Sequence, residues 1–271
     1  MLRRLIKGNR LYNSFETTYS LFKHQESISK NVRFKEMHKE RRCFIIGNGP
    51  SLKKQNLLPL EKELTFVMNA FWKHPIISPK WQPTYYCFAD SLYFDGSPNS
   101  LNFFKKLGKK IKESIYFTSL EGKNIIEKHH LLPKGKTNYV TFGSAENIEE
   151  IDLTSLIPSV QSTSQLAIEV AIYMGCTPIY LLGMDHDWLS HRGLDKHFYP
   201  GETINGHSGV INDLSTTSYK SELESCLRLW NIYEDLREMA KLKGIQIFNA
   251  SESGFLDVFE RKKYETVVSD K

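Results

Sequence analysis

Seven short apolar runs constrain this chain most, because each stops at a small or polar residue. Cys43-Phe44-Ile45-Ile46 runs into Gly47-Asn48, Phe66-Val67-Met68 into Asn69, and Tyr85 to Ala89 into Asp90. Ile115-Tyr116-Phe117 leads to Thr118-Ser119, and Tyr139 to Phe142 leads to Gly143-Ser144. Ile179 to Leu182 stops at Gly183-Met184-Asp185, and Ile245 to Phe248 stops at Asn249. Runs of this length, rich in β-branched and aromatic residues, read as strands buried on both faces. Helical patterns lie between them. Ser162-Thr163-Ser164-Gln165 has the spacing of a capping box and opens an apolar stretch that runs to Gly175. Leu223, Leu227, Trp230, Tyr233, Leu236 and Ala240 share one helical stripe, which Gly244 closes. Alternating strands and helices predict an α/β fold: a Rossmann-like, mostly parallel sheet with helices on both faces. In such sheets ligands bind beyond the carboxyl ends of the strands, where the polar residues above fall.

The length of 271 residues and a hydrophobic content of 40% suit one large domain with appendages. We expect a basic helical extension over 1–40, a nucleotide-sugar-binding catalytic domain over 41–260 and a charged tail over 261–271. The net charge of +5 is concentrated near the start, from Arg3 to Arg42. Such flanks are commonly solvated, and they also suit contact with anionic lipid or a polyanionic substrate. Cys43, Cys87, Cys176 and Cys226 are widely spaced, with no metal-binding pattern, so they read as reduced thiols of a cytoplasmic protein. No run reaches membrane-spanning length and no signal-peptide core precedes the domain. The expected location is the cytoplasm, with the basic flank able to meet the inner membrane.

The strongest local motif is the strand followed by Gly47-Asn48-Gly49-Pro50-Ser51-Leu52. Glycines there permit close backbone approach to a ligand, and exposed N–H groups can hold phosphate. Pro50 donates no N–H, and the lysine of a phosphate-cradling P-loop is missing. A tight turn explains the same residues. Asn69, Asp90 and Asp185 all follow strands; each is a site candidate, and each is also a residue type that caps and turns chains. Segment 186–219 holds His186, Asp187, Trp188, His191, Arg192, His197, Tyr199 and His207, and reads as a lid-like insertion. Its histidine spacing matches no standard metal set.

Three blocks resemble bacterial CMP-sialic-acid-dependent sialyltransferases of the variant GT-A type, and also Maf-type motility-accessory glycosyltransferases and MptE-like pterin diphosphokinases. They are Cys43 to Lys53, Val67 to Asp90, and Ser162 to Asp185. Asn205-Gly206-His207-Ser208 and Gln246 to Ser251 extend the resemblance over roughly residues 40–260. It implies an inverting, metal-independent sugar transfer from a nucleotide-activated donor, most simply a CMP-linked nonulosonic acid, to a glycan or lipid-linked saccharide. On this resemblance His207 is the general base. Tyr199 meets the departing phosphate, and Asp185 belongs to the catalytic set. Gly47, Asn48, Gly49, Pro50, Ser51, Asn69, Asp90, Thr163, Ser164 and Gly183 hold nucleotide and sugar. No metal, resident cofactor or nucleic acid is expected, while a homo-oligomer is compatible. The chain departs from the sialyltransferase pattern at Val160 and Gln161, where that family has an Arg, and at Asp187, where it has a Tyr. Arg192, His197 and Tyr199 are candidates for the missing contact. A diphosphokinase using ATP, with Mg²⁺ on Asp90 and Asp185, is the alternative enzyme. A nucleotide-binding module without catalysis is the third reading.

Overall fold

A computed structural model describes residues 23–143, 150–190, 197–199 and 218–269. Its strands are β1 (Cys43–Ile46), β2 (Leu64–Met68), β3 (Tyr85–Phe88), β4 (Ile115–Ser119), β5 (Thr137–Gly143), β6 (Leu156–Pro158), β7 (Ile179–Leu182), β8 (Ile247–Asn249) and β9 (Glu260–Arg261). They form one nine-stranded sheet in the order β6-β5-β4-β3-β2-β1-β7-β8-β9. Every pairing is parallel. All seven apolar runs became strands. β6 and β9 were not foreseen: two or three residues at a sheet edge carry too little pattern to be read.

The pleat divides the strands between two cores. Cys43 and Ile45, Phe66 and Met68, and Ile179 and Leu181 face one side. Phe44 and Ile46, Val67, Tyr180 and Leu182 face the other. The first face is covered by α4 (Thr163–Tyr173) and α5 (Tyr219–Leu242). The second is covered by α2 (Pro98–Lys110), α3 (Lys123–His129) and α6 (Tyr264–Ser269), together with short 3-10 turns. Every residue of α4 is buried, so it is a central helix without a solvent face.

The stripe expected on α5 is only half right. Leu229, Tyr233, Leu236 and Ala240 are buried, but Leu223 and Leu227 are 45% and 63% exposed. Helix length explains this. The 11 residues of α4 span about 16 Å and the 24 of α5 about 36 Å. Gln165, at the start of α4, donates to the Leu229 carbonyl at 2.9 Å. The turns of α5 before Leu229 therefore project past α4, alongside the strand tips.

Both ends of the described chain are sewn into the domain. In α1 (Gln25–Ser29), Ile28 is fully buried. The Asn31 amide donates to the carbonyls of Tyr139 and Leu153, both at 2.8 Å, and Phe34 packs edge-on against Phe117 with ring centroids 5.0 Å apart. The segment expected as a charged tail forms a strand and a helix. Tyr264 and Val267 enter the core, and the Tyr264 hydroxyl donates to the Asn56 carbonyl at 2.7 Å. Charge content hid two apolar positions one helical turn apart.

Candidate functional site

The chain runs outward from β1 to β6, then returns through α4 to β7 on the other side of β1. That reversal opens a crevice between the tips of β1 and β7, the general position of ligand sites in open α/β sheets. A cleft of about 240 Å³ occupies it. Its walls are the ends of β1, β2 and β7, the start of α4, and Ser225 and Leu229 of α5.

The two flanking loops pack directly on each other. Gly47 N–H donates to the Leu182 carbonyl at 2.8 Å and Gly49 N–H to the Gly183 carbonyl at 2.9 Å. A β-carbon on Gly49 would lie 2.5 Å from the Asp185 carboxyl carbon. Gly183 adopts φ +63°, and a side chain there would strike Leu52. The glycines were expected to admit a ligand; at these two positions they admit the neighbouring loop.

Asp185 is the reason the approach must be close. Its buried carboxylate accepts from the Ser51 N–H at 2.7 Å and from the Ser51 hydroxyl. Burial raises its pKa, and the two Ser51 bonds oppose that shift. The carboxylate thus caps the turn Pro50–Lys54 and stands where a bound anion would meet those N–H groups. The structure places this residue, expected in the catalytic set, as a brace between β1 and β7.

Asp185 lines the cleft with its carboxylate already occupied by Ser51, and other groups there are less committed. Asn48 donates through Nδ2 to the Met68 carbonyl at 3.2 Å, while its buried Oδ1 has no partner. A buried acceptor without a donor on the wall of a cleft is a position for a ligand N–H or O–H. Asn69 sits at φ +51°, a conformation that Asn tolerates better than most residues. Its Oδ1 accepts from the Thr163 hydroxyl at 3.2 Å, and Thr163 Oγ1 in turn accepts from Ala89 N–H at 3.3 Å. The tips of β2 and β3 are thereby tied to the start of α4.

Ser162 N–H donates to Gln165 Oε1 at 3.1 Å and the Ser162 side chain faces the Gln165 N–H, so the expected capping box forms. The serine hydroxyls make a further connection. Ser162 Oγ lies 2.5 Å from Ser164 Oγ, Ser164 Oγ lies 2.6 Å from the Tyr233 hydroxyl, and that hydroxyl lies 2.8 Å from His186 Nε2. The rings of Trp188, Trp230 and Tyr233 enclose the imidazole, and this desolvation pulls its pKa down to about 4. His186 itself is at φ +47°. Sequence reading did not join Ser162, Tyr233 and His186. Tyr233 is 47 residues from His186 and 69 from Ser164, so only the packing of α5 on α4 brings them together.

Of the other candidates, His197 lines the cleft and Tyr199 does not. The Tyr199 ring stacks on His197 with centroids 5.0 Å apart and lies 4.6 Å from Lys73 Nζ. Phe198 N–H donates to the Asn48 carbonyl at 2.9 Å, which holds this short segment against the β1 loop. Asp90 is exposed and accepts from Leu92 N–H at 2.8 Å, an ordinary turn cap outside the cleft. Asp185 lines the cleft but is bonded across to the Ser51 loop, and Asp90 caps its own turn away from the cleft. Arg192, His207 and most of segment 186–219 lie outside the described residues. Among the described residues no cluster of three His, Cys, Asp or Glu side chains forms, and the cleft wall carries no Lys or Arg. A larger hollow of about 1020 Å³ lies at the opposite, amino end of the strands, beside Arg33, Lys105 and Lys134. No residue of the strand-tip motifs lines it.

No protein-family model matches the chain, and no curated protein matches it. Among solved structures it is similar to the sialyltransferase CstII of Campylobacter jejuni in complex with a substrate analogue, cytidine-5'-monophosphate. The TM-score is 0.46 at 15% identity, over 83% of this chain and 85% of that one. It is also similar to the monofunctional alpha-2,3-sialyltransferase Cst-I of the same organism. There the TM-score is 0.45 at 16% identity, over 82% of this chain and 80% of that one. Likeness at this level does not by itself transfer chemistry.

Proposed function

We propose that this chain is a glycosyltransferase that takes a nucleotide-activated sugar into the cleft between β1 and β7. The observation that carries the reading is the unpartnered, buried Oδ1 of Asn48, set in a crevice that also contains the amino end of α4. A nucleotide supplies the missing donor from its base or ribose. Its phosphate, or the carboxylate of the sugar, meets the outward N–H groups at Thr163 and Ser164.

In this reading the acceptor hydroxyl attacks the anomeric carbon from the side opposite the nucleotide. The new C–O bond forms as the bond to the phosphate oxygen breaks, and the anomeric centre inverts. His207 takes the hydroxyl proton, and CMP leaves as its phosphate anion. The assignment of His207 and of a CMP-linked nonulosonic acid rests on the sequence blocks described above. Asp185 acts through Ser51, holding the loop that presents Asn48. The acceptor is a surface glycan or a lipid-linked saccharide, and the basic flank before Cys43 favours a site of action beside anionic lipid. No helix among the described residues is long and apolar enough to cross a membrane.

Thermal-shift binding with CMP, CDP, UDP, GDP and ATP, each in Mg²⁺ and in EDTA, tests the reading. A ligand at a hundred times its Kd stabilises the folded state by about 2.7 kcal/mol. Stabilisation by CMP or CDP that survives EDTA is expected. Stabilisation by ATP alone, and only with Mg²⁺, would replace this proposal with the diphosphokinase.

A further inference from the structure

A chain of hydroxyls that ends in a histidine has a direction, because each group donates to the next. Here the chain runs Ser162, Ser164, Tyr233, His186, with successive heavy-atom distances of 2.5, 2.6 and 2.8 Å. Ser162 and Ser164 line the cleft, whereas Tyr233 is fully buried. The phenol is the strongest neutral donor of the four, and a bare imidazole nitrogen is the strongest acceptor. With Nε2 bare, Tyr233 donates to it. With its proton spent there, the Tyr233 oxygen accepts from Ser164, and Ser164 accepts from Ser162.

We infer that the His186–Tyr233–Ser164 chain is a positioning device that turns the remaining Ser162 lone pair toward the cleft, making Ser162 Oγ a receptor for a hydroxyl of the donor sugar. The opposite polarity would make the same atom a donor, suited to phosphate or carboxylate. Two observations support the outward-acceptor polarity. The enclosure of His186 by aromatic rings disfavours the imidazolium, and of the two neutral tautomers the one bare at Nε2 gives the phenol its strongest acceptor. The Ser162 oxygen faces the Gln165 N–H as the cap of α4, so its own proton is left for Ser164. With Asn48 Oδ1, the cleft then offers two acceptors beside the N–H groups of α4. Several hydroxyls and one anionic group are what such a set recognises.

The polarity stands on the hydrogen-bond chain and the donor strengths within it, whereas the recognition of sugar rests on the glycosyl-transfer reading. The test separates the two. In ¹⁵N-histidine spectra at neutral pH, the His186 signals, assigned by their loss in His186→Gln, should show Nδ1 protonated and Nε2 bare. Tyr233→Phe should shift the Nε2 resonance by removing its donor. Binding is read with CMP and with CMP-3FNeuAc, the substrate analogue named with the Campylobacter enzyme. Ser162→Ala should weaken CMP-3FNeuAc by about fivefold, the loss of one hydrogen bond, and leave CMP within about twofold. Ser162→Thr, which keeps the hydroxyl, should restore the analogue. A protonated Nε2 overturns the polarity. Equal effects of Ser162→Ala on the two ligands, or none on either, overturn the recognition. If wild-type protein binds neither ligand, the glycosyl-transfer reading fails together with the recognition, and the histidine spectrum still decides the polarity.

Discussion

Replacing Ser51 with alanine tests the claim that Asp185 is a brace. The substitution keeps the backbone N–H at 2.7 Å from the carboxylate and removes only the hydroxyl donor. A hydrogen bond to an ionised, buried group is worth about 1.5–3 kcal/mol, so the expected loss near neutral pH is about 2 kcal/mol. For a domain of this size that corresponds to a fall of about 4–8 °C in Tm. The loss should depend on pH, and its sign is fixed. Burial raises the folded pKa of Asp185 above the ordinary 3.8, so the native state holds this proton more tightly than the unfolded chain. The group's stabilising contribution is complete below 3.8 and is lost as pH rises through the raised folded value. Ser51 limits that loss by favouring the ionised form. Ser51→Ala therefore costs most above the folded pKa. As the carboxyl protonates, its cost falls toward that of a neutral hydrogen bond, about 1 kcal/mol. Urea unfolding of both proteins between about pH 4 and pH 8 reads the difference directly. A penalty that is unchanged across this range, or larger in acid, would refute the brace.

Asn48→Ala should cut the affinity for CMP about tenfold, because it removes the unpartnered acceptor from the cleft; isothermal titration would refute the assignment if affinity were unchanged. Glu169 is fully buried in α4, both its oxygens lack partners, and burial raises its pKa well above the carboxylate range. Glu169→Leu should therefore stabilise the fold by about 1–3 kcal/mol in urea unfolding, and a loss of stability would mean the carboxyl is satisfied. Phe34→Ala should destabilise by about 3–5 kcal/mol, since this ring is inserted against Phe117. A loss below 1 kcal/mol would return the segment before Cys43 to the status of a loose extension.

The parallel sheet was legible in the chain because its strands are buried on both faces, and double-sided burial demands continuous apolar runs with abrupt polar ends. The same logic located the strand tips, and Asn48, Asn69 and Thr163 do meet there. Local pattern also revealed the start of α4, since capping is a contact between near neighbours in sequence. What each polar group does was not legible. Asp185 and Asp90 look alike in sequence, both following an apolar run. One is buried and bonded to a loop 134 residues away, and the other caps its own turn in solvent. The difference is made by β7 lying against β1, a pairing between strands far apart in the chain. Gly49 and Gly183 show the same limit: a glycine announces close approach, but the sheet order decides that the approaching group is the neighbouring loop. The exposed leucines of α5 follow from where α4 begins relative to it, which no periodicity within α5 contains. The hydroxyl chain ending at His186 joins α4, α5 and the β7 loop, so it exists only once the helix pair has docked on the sheet. Sequence alone determined the elements and the end of the sheet where chemistry belongs. Tertiary structure decided which polar atoms are spent on the fold and which remain for a ligand, because a hydrogen-bond partner is a matter of distance in space.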